Sequence, residues 1–423
     1  MLFWKNGSGD TLTLGGRVID PTERIDACLR LTIENGLLVR IEPSGSSRTL
    51  IAPAFLDPHV HLRTPGREDE ETLASGTAAA AAGGYCAVLA MPNTDPVIDS
   101  AATLSALVEA AKAEAAIPTG FLAAITKGQE GAELTEMAEL ADAGAAGFSD
   151  DGRPVVSAAL MRRALQYAGF ARRPVAPHCE DTTLSRDGQM HEGAVSAELG
   201  FAGYPSVAES LMVERDLALA AYEEQPLHLL HLSAAESVAA LRRAQALGVA
   251  ATAEVTPHHL CLTDEEVRSL DPNLKMNPPL RSETDRLALL EALRDGNICA
   301  IASDHAPHAR HEKEVPFEAA PFGVTGLETA FAALYTHLVE PGLLRLETLL
   351  ERMSAGPARA YGLERPRVAV GARANLVVLD LDAKQRVEES GFRSRSANSW
   401  LLGKTLQGRV AMTIAAGKVV YEA

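Results

Sequence analysis

At 423 residues the chain exceeds the ~250 residues of a single α/β barrel and leaves room for a smaller second domain. Its 47% hydrophobic and 22% charged residues are ordinary for a globular protein and exclude a disordered or fibrous chain. The net charge of −17, from 56 acidic against 39 basic side chains, argues against a nucleic-acid or anionic-membrane partner, since both require a positive surface, but not against a small anionic substrate.

The N-terminus, MLFWKNGSGDTLTL, lacks the basic and apolar segments of a signal peptide. Residues 1–50 read as β structure: TLTLGGRVID, then CLRLTIENGLLVRIEP, where Asn35-Gly36 between two apolar runs signals a hairpin. The stretch from about Val368 has the same character, so residues 1–50 and 362–423 are expected to form one composite β-sandwich domain. Between them, over 51–361, short apolar runs alternate with Ala/Leu/Glu-rich helical stretches, the pattern of βα units. Eight runs can be counted (IAPAFLD, YCAVLAM, TGFLAAI, AGAAGFS, RPVAPHC, PLHLLHL, VAATAEV and NICAIAS), the number that closes a (β/α)8 TIM-like barrel; the fourth is the weakest. The apolar stretch Thr77 to Met91 is too short for a bilayer span and is broken by Gly83 and Gly84; it reads as a helix running into a buried strand. Five scattered cysteines without a CxxC pair fit a reducing, cytoplasmic setting and offer no thiolate metal site.

The first barrel run ends in DPHVHLR. His59 and His61 are two apart, so an extended strand points both rings to one side, where they can grip one metal ion. Alone, an HxH pair is a weak signal. It gains weight because Asp150-Asp151 follows the fourth run, His178 closes the fifth, His231 ends the sixth and Asp304 follows the eighth; in a barrel these strand ends converge on one mouth. Among the other histidines, His308 lies on the loop leaving the eighth strand and could reach the pocket, whereas His191, His228, His258, His259, His305, His311 and His337 read as ordinary core or surface residues. Lys127, after the third run, is the lysine nearest the mouth; a solvent-exposed strand end is its main reading and a metal bridge the minor one. The charged loop 309–320 is read evenly as a lid or as a solvated surface loop.

Together DPHVHLRTPG, GFSDDG, PHCED, EVTPHH, KMNPPLR, ASDHAPH and PFGVTGLET resemble the dihydroorotases of the class I type, in consistent order from about residue 13 to 420. The resemblance implies zinc-dependent, reversible cyclisation of N-carbamoyl-L-aspartate to (S)-dihydroorotate in pyrimidine biosynthesis. It assigns His59, His61 and Asp304 to one zinc, and His178 and His231 to a second, with Asp151 bridging the two. Asp304 would also be the proton shuttle. His61, Arg63, Asn93, Asn277, His308, Phe322 and Gly323 would contact the substrate, with Arg63 suited to its carboxylate. The resemblance further implies a homodimer and points to aspartate transcarbamoylase as a candidate protein partner. Two alternatives stay open: a hydantoinase- or allantoinase-type cyclic amidase, and an inactive scaffold for the transcarbamoylase. Against the first stands the fourth strand, where Gly147-Phe148-Ser149-Asp150-Asp151 has no lysine to carboxylate.

Overall fold

A computed structural model describes residues 1–5, 11–45 and 49–423. The strands in chain order are β1 (Leu12–Asp20), β2 (Ile25–Glu34), β3 (Leu37–Pro43), β4 (Leu50–Pro53), β5 (Phe55–Val60), β6 (Tyr85–Ala90), β7 (Thr119–Ala123) and β8 (Gly147–Phe148). They continue as β9 (Met190–His191), β10 (Gly203–Tyr204), β11 (Leu227–Leu229), β12 (Ala251–Val255), β13 (Ala300–Ile301), β14 (Leu376–Arg386), β15 (Thr405–Ala415) and β16 (Lys418–Glu422).

The two ends of the chain build one seven-stranded sheet, ordered β16-β15-β14-β4-β1-β2-β3 and antiparallel except where β1 runs parallel to β4. A sandwich of two sheets was expected; hydrogen bonding instead makes a single sheet that wraps over an apolar cluster including Leu31, Ile33, Ile51, Leu376 and Ile414. Register shifts in β2–β3, β14–β15 and β15–β16 permit the bending. The edge then returns toward β14, with the Leu38 N–H donating to the Ala372 carbonyl at 2.9 Å. Asn35 and Gly36 turn β2 into β3 with φ of +52° and +79°, the primed-turn geometry that the Asn-Gly pair favours.

The chain changes sheets at Ala54, between β4 and β5. From there β5-β6-β7-β8 and β11-β12-β13 form two parallel arcs, curled like a half-barrel and separated by helices. The helix Leu73–Ala82 runs into β6 as the sequence suggests; Gly84 between them has a φ of +92°, and a Cβ there would lie 2.9 Å from the Phe55 ring. The fifth run supplies only single-residue bridges, Val175 to Phe148 and Val175 to Leu227. Pro174 and Pro177 lie within that run on either side of Val175-Ala176 and have no N–H to give a ladder. At the other end of the arcs Val60 makes a parallel bridge to His305. Ser100, Ser157 and Ser282 cap the outer helices Ala101–Glu114, Ala158–Ala171 and Glu283–Asp295. No helix among the described residues is long and apolar enough to cross a membrane.

Candidate metal and substrate site

The carboxyl ends of the parallel strands bring His59, His61, Asp151, His178, His231 and Asp304 together, all at most 8% exposed. Asp151 divides the cluster. Its Oδ2 lies 3.6 Å from His59 Nε2 and 3.5 Å from His61 Nε2; its Oδ1 lies 3.6 Å from His178 Nδ1 and 3.3 Å from His231 Nε2. Two sets of donor atoms, His59–His61–Asp151 and Asp151–His178–His231, are each compact enough to hold one ion. Asp304 Oδ1 joins the first set from the side, 3.1 Å from His61 Nε2 and 3.4 Å from His59 Nε2. His59 Nε2 is buried with no hydrogen-bond partner, which is costly unless something else coordinates it.

A layer of polar residues fixes these rings. His59 Nδ1 and Glu254 Oε1 are 2.8 Å apart, His61 Nδ1 lies 2.9 Å from Asn93 Oδ1, and His178 Nε2 lies 2.9 Å from Glu180 Oε2. With a metal bound, each contact would pin one ring nitrogen as a donor and leave the other as an electron-pair donor facing the cluster; without one, the cluster-side nitrogens can carry protons toward Asp151 and Asp304. Burial acts to raise the pKa of Asp151, but the His59 charge and the hydrogen bonds from His178 and His231 outweigh it and hold the group well below the usual carboxylate range. The same opposition, with His59 and His61 winning over burial, lowers Asp304. For Glu254, hydrogen bonds from His228 and His59 overcome burial and bring it to about 2.

Arg63, His231 and Asp304 have left-handed backbones, with φ of +57°, +26° and +46°. Such conformations cost about 1–3 kcal/mol each in non-glycine residues and persist where surrounding contacts over-determine them. One of these contacts runs from the His231 N–H to Glu254 Oε1 at 3.3 Å.

In front of the cluster lies a cavity of ≈270 Å³, lined by His61, Arg63, Asn93, Asn277, His308, Phe322 and Gly323, together with Arg67. Arg63 is buried; its Nε lies 2.9 Å from Glu70 Oε2 and donates to the Pro307 carbonyl at 3.2 Å. Asn277 donates to Glu180 at 3.2 Å, and its Oδ1 is buried without a partner. His308 is fixed by its Nε2 on the Phe322 carbonyl at 2.7 Å, leaving Nδ1 as another orphan. Burial, with the Arg63 charge behind it, lowers the His308 pKa to about 3, so the ring is neutral. Gly323 must be glycine: its φ is +118°, and a Cβ would come within 2.6 Å of Ala306 Cβ.

Lys127 is not brought to the site; it sits 46% exposed on a short 3-10 turn, ion-paired with Glu133. Nor is the 309–320 segment a bare solvated loop. It forms two short helical turns, Arg310–Lys313 and Phe317–Ala319, and buries Phe317 and Lys313. Lys313 Nζ donates to the carbonyls of Pro272 and Pro321, and Lys275 Nζ to those of Phe317 and Glu318. These anchors tie the segment down beside Phe322.

Several site residues escape sequence reasoning. Arg67 lies beyond the HxH motif and pairs with Glu70 and with Glu312 of the 309–320 segment. Asn398 comes from the C-terminal segment, where its Oδ1 accepts from the His308 N–H and its Nδ2 donates to the carbonyls of Ala306 and Gly323. Glu254 and Glu180 carry a readable signal, an acidic residue within or beside an apolar run, since unpaired carboxylates are rarely buried.

Residues 50–420 match the model of the amidohydrolase family. A dihydroorotase from a Geobacter species is 45% identical over 422 residues, covering 97% of this chain and 99% of that protein, and a dihydroorotase from Syntrophus aciditrophicus is 43% identical with the same coverage. Among solved structures, an L-hydantoinase (dihydropyrimidinase) from Arthrobacter aurescens superposes with a TM-score of 0.85 at 25% identity, covering 96% of this chain and 94% of that one. A dihydropyrimidinase from Brevibacillus agri gives 0.82 at 20% identity, covering 97% and 95%, a likeness of fold alone.

Proposed function

The chain belongs to the amidohydrolase family, in its dihydroorotase branch, and on that premise we propose that two zinc ions held by the histidine–aspartate cluster serve the reversible closure of N-carbamoyl-L-aspartate to (S)-dihydroorotate. It is a cyclic amide hydrolase. The observation that carries the metal reading is the division of Asp151, one oxygen toward His59 and His61 and the other toward His178 and His231. Imidazole nitrogens with carboxylate oxygens suit zinc, and Asp151 would serve here where other cyclic amidases use a carboxylated lysine.

Bound there, zinc would lower the pKa of a water toward ~7 and polarise the ring amide carbonyl. The chain's own residues do the rest. Asp304, held between His59 and His61, takes the proton of the attacking water and returns it to the departing ring nitrogen; ring closure runs the transfer backward. Arg63 and Asn93 take the substrate carboxylate. Asn277, His308 and the backbone at Phe322–Gly323 meet the ring amides and carbonyls, an assignment that the orphaned Asn277 Oδ1 supports.

We also read the two parallel arcs as one closed (β/α)8 barrel over 51–361, set against the composite domain of 1–50 and 362–423. The bridges at Val175 and between Val60 and His305 support the closure. Phe170 and Tyr222, 86% and 73% exposed, support a homodimer, which sedimentation at micromolar concentration checks.

The deciding assay offers the purified protein dihydroorotate, hydantoin and allantoin. Dihydroorotate is expected to be turned over best; a preference for either of the others would overturn the substrate assignment. Arg63→Lys should raise KM about 10-fold or more with a smaller change in kcat, because lysine cannot give two parallel hydrogen bonds to a carboxylate. An unchanged KM would remove Arg63 from that role.

A further inference from the structure

Glu254 stands on β12, fully buried, behind the histidines rather than among them. Its Oε1 meets His59 Nδ1 at 2.8 Å and accepts the backbone N–H of His231 at 3.3 Å. Its Oε2 meets Nε2 of His228, which is likewise fully buried, at 3.0 Å. His228 in turn contacts Thr252 Oγ1 through Nδ1 at 2.8 Å and packs edge-on against the Tyr361 ring, with 5.0 Å between centroids. Neither Glu254 nor His228 lines the substrate cavity.

From this geometry we infer that Glu254 is the positioning residue for both metal positions at once, with His228 as the strut that holds it in place. The inference rests on the two-zinc reading above. One carboxylate oxygen orients a ring assigned to the first ion and the left-handed turn that presents His231 to the second. Through the first contact it keeps the His59 proton on Nδ1 and so leaves Nε2, the orphaned atom, free to coordinate. Its charge also raises the basicity of that ring. Through the second it offsets the strain at His231. Any buried carboxylate needs partners; what sets Glu254 apart is that a single oxygen reaches both a ring of the first position and the turn that carries a ring of the second.

The test is metal affinity, measured apart from turnover. Wild-type protein, Glu254→Gln and His228→Gln are stripped with a chelator, and zinc binding is then titrated against a competing chromophoric chelator. Thermal midpoints are recorded for the metal-free proteins. Glutamine preserves the shape, and its carbonyl can still accept from His59, so the metal-free midpoint should shift little. Zinc affinity in Glu254→Gln should fall by about 10–100-fold, with a smaller fall in His228→Gln. Unchanged affinity in Glu254→Gln would overturn the inference while leaving the zinc site intact. Wild-type protein that retains no zinc would instead bring down the metal reading itself. Should Glu254→Gln fail to fold, His228→Gln decides: weaker zinc binding with an unmoved metal-free midpoint supports the strut, and unchanged binding refutes it.

Discussion

Asp304→Asn is expected to cut kcat by at least ~10³-fold, in ring opening and ring closure alike, while far-UV circular dichroism stays that of the wild type. Positioned proton transfer contributes about 10²–10⁴-fold, and at this residue a contribution to holding the ion is lost with it. Asparagine copies the shape of the side chain, and its amide can face His61 Nε2, 3.1 Å away, with either its oxygen or its NH2 according to that nitrogen's protonation. What asparagine cannot do is accept and release a proton near neutral pH. KM should move much less than kcat, because the carboxylate and ring contacts assigned to Arg63, Asn93, Asn277 and His308 are untouched. Equal losses in both directions matter, since one group serving as base in hydrolysis must serve as acid in cyclisation. A variant within about tenfold of wild-type kcat would show that the proton travels by another route.

Why Asp304 and its neighbours could be found in the sequence, and others could not, comes down to the range of the pattern. His59 and His61 were legible because a strand has a period of two, and Asp304 and His178 because apolar runs end beside them. Residues 150 and 151 fall on opposite sides. The Asp150 side chain turns inward to accept the N–H groups of Ile125 and Thr126, and Asp151 faces the cluster. Strand alternation predicts that they diverge but not which one faces the histidines; the family resemblance decides that choice. Asn398 was invisible, since it reaches His308 across 90 residues from a segment with no periodicity. The two helical turns within 309–320 are invisible for a related reason, because turns of three or four residues are too short to display a period.

The fold shows a parallel lesson. Asn35-Gly36 and the helix–strand passage from Leu73 to Ala90 were readable because local chemistry fixes them. The single wrapped sheet at the chain ends was not. Whether seven strands make two facing layers or one bent one depends on bulges and on the contact of Leu38 with Ala372, more than 300 residues away in sequence. Likeness to hydantoinase structures fixes the scaffold, whereas the substrate is decided by side chains at its mouth.

Asp151→Asn carries the largest expected effect on metal content. The amide offers one oxygen and one NH2 group, and the NH2 must face either the His59–His61 pair or the His178–His231 pair. An NH2 group does not coordinate a cation, so one of the two positions loses its oxygen ligand and the other keeps only a neutral one. Zinc retained after dialysis should therefore drop from two equivalents to one or fewer, and kcat should fall by ~10³-fold or more. Stability follows by linkage: zinc at 100 times its dissociation constant adds about 2.7 kcal/mol per site to the folded state, and the variant should lose the share of one site. Metal analysis and the zinc-dependent rise in thermal midpoint measure this independently of turnover. Two tightly held equivalents in Asp151→Asn would mean that the carboxylate does not bridge. One equivalent in the wild type, unchanged in the variant, would mean that a single ion suffices and that Asp151 has a different task.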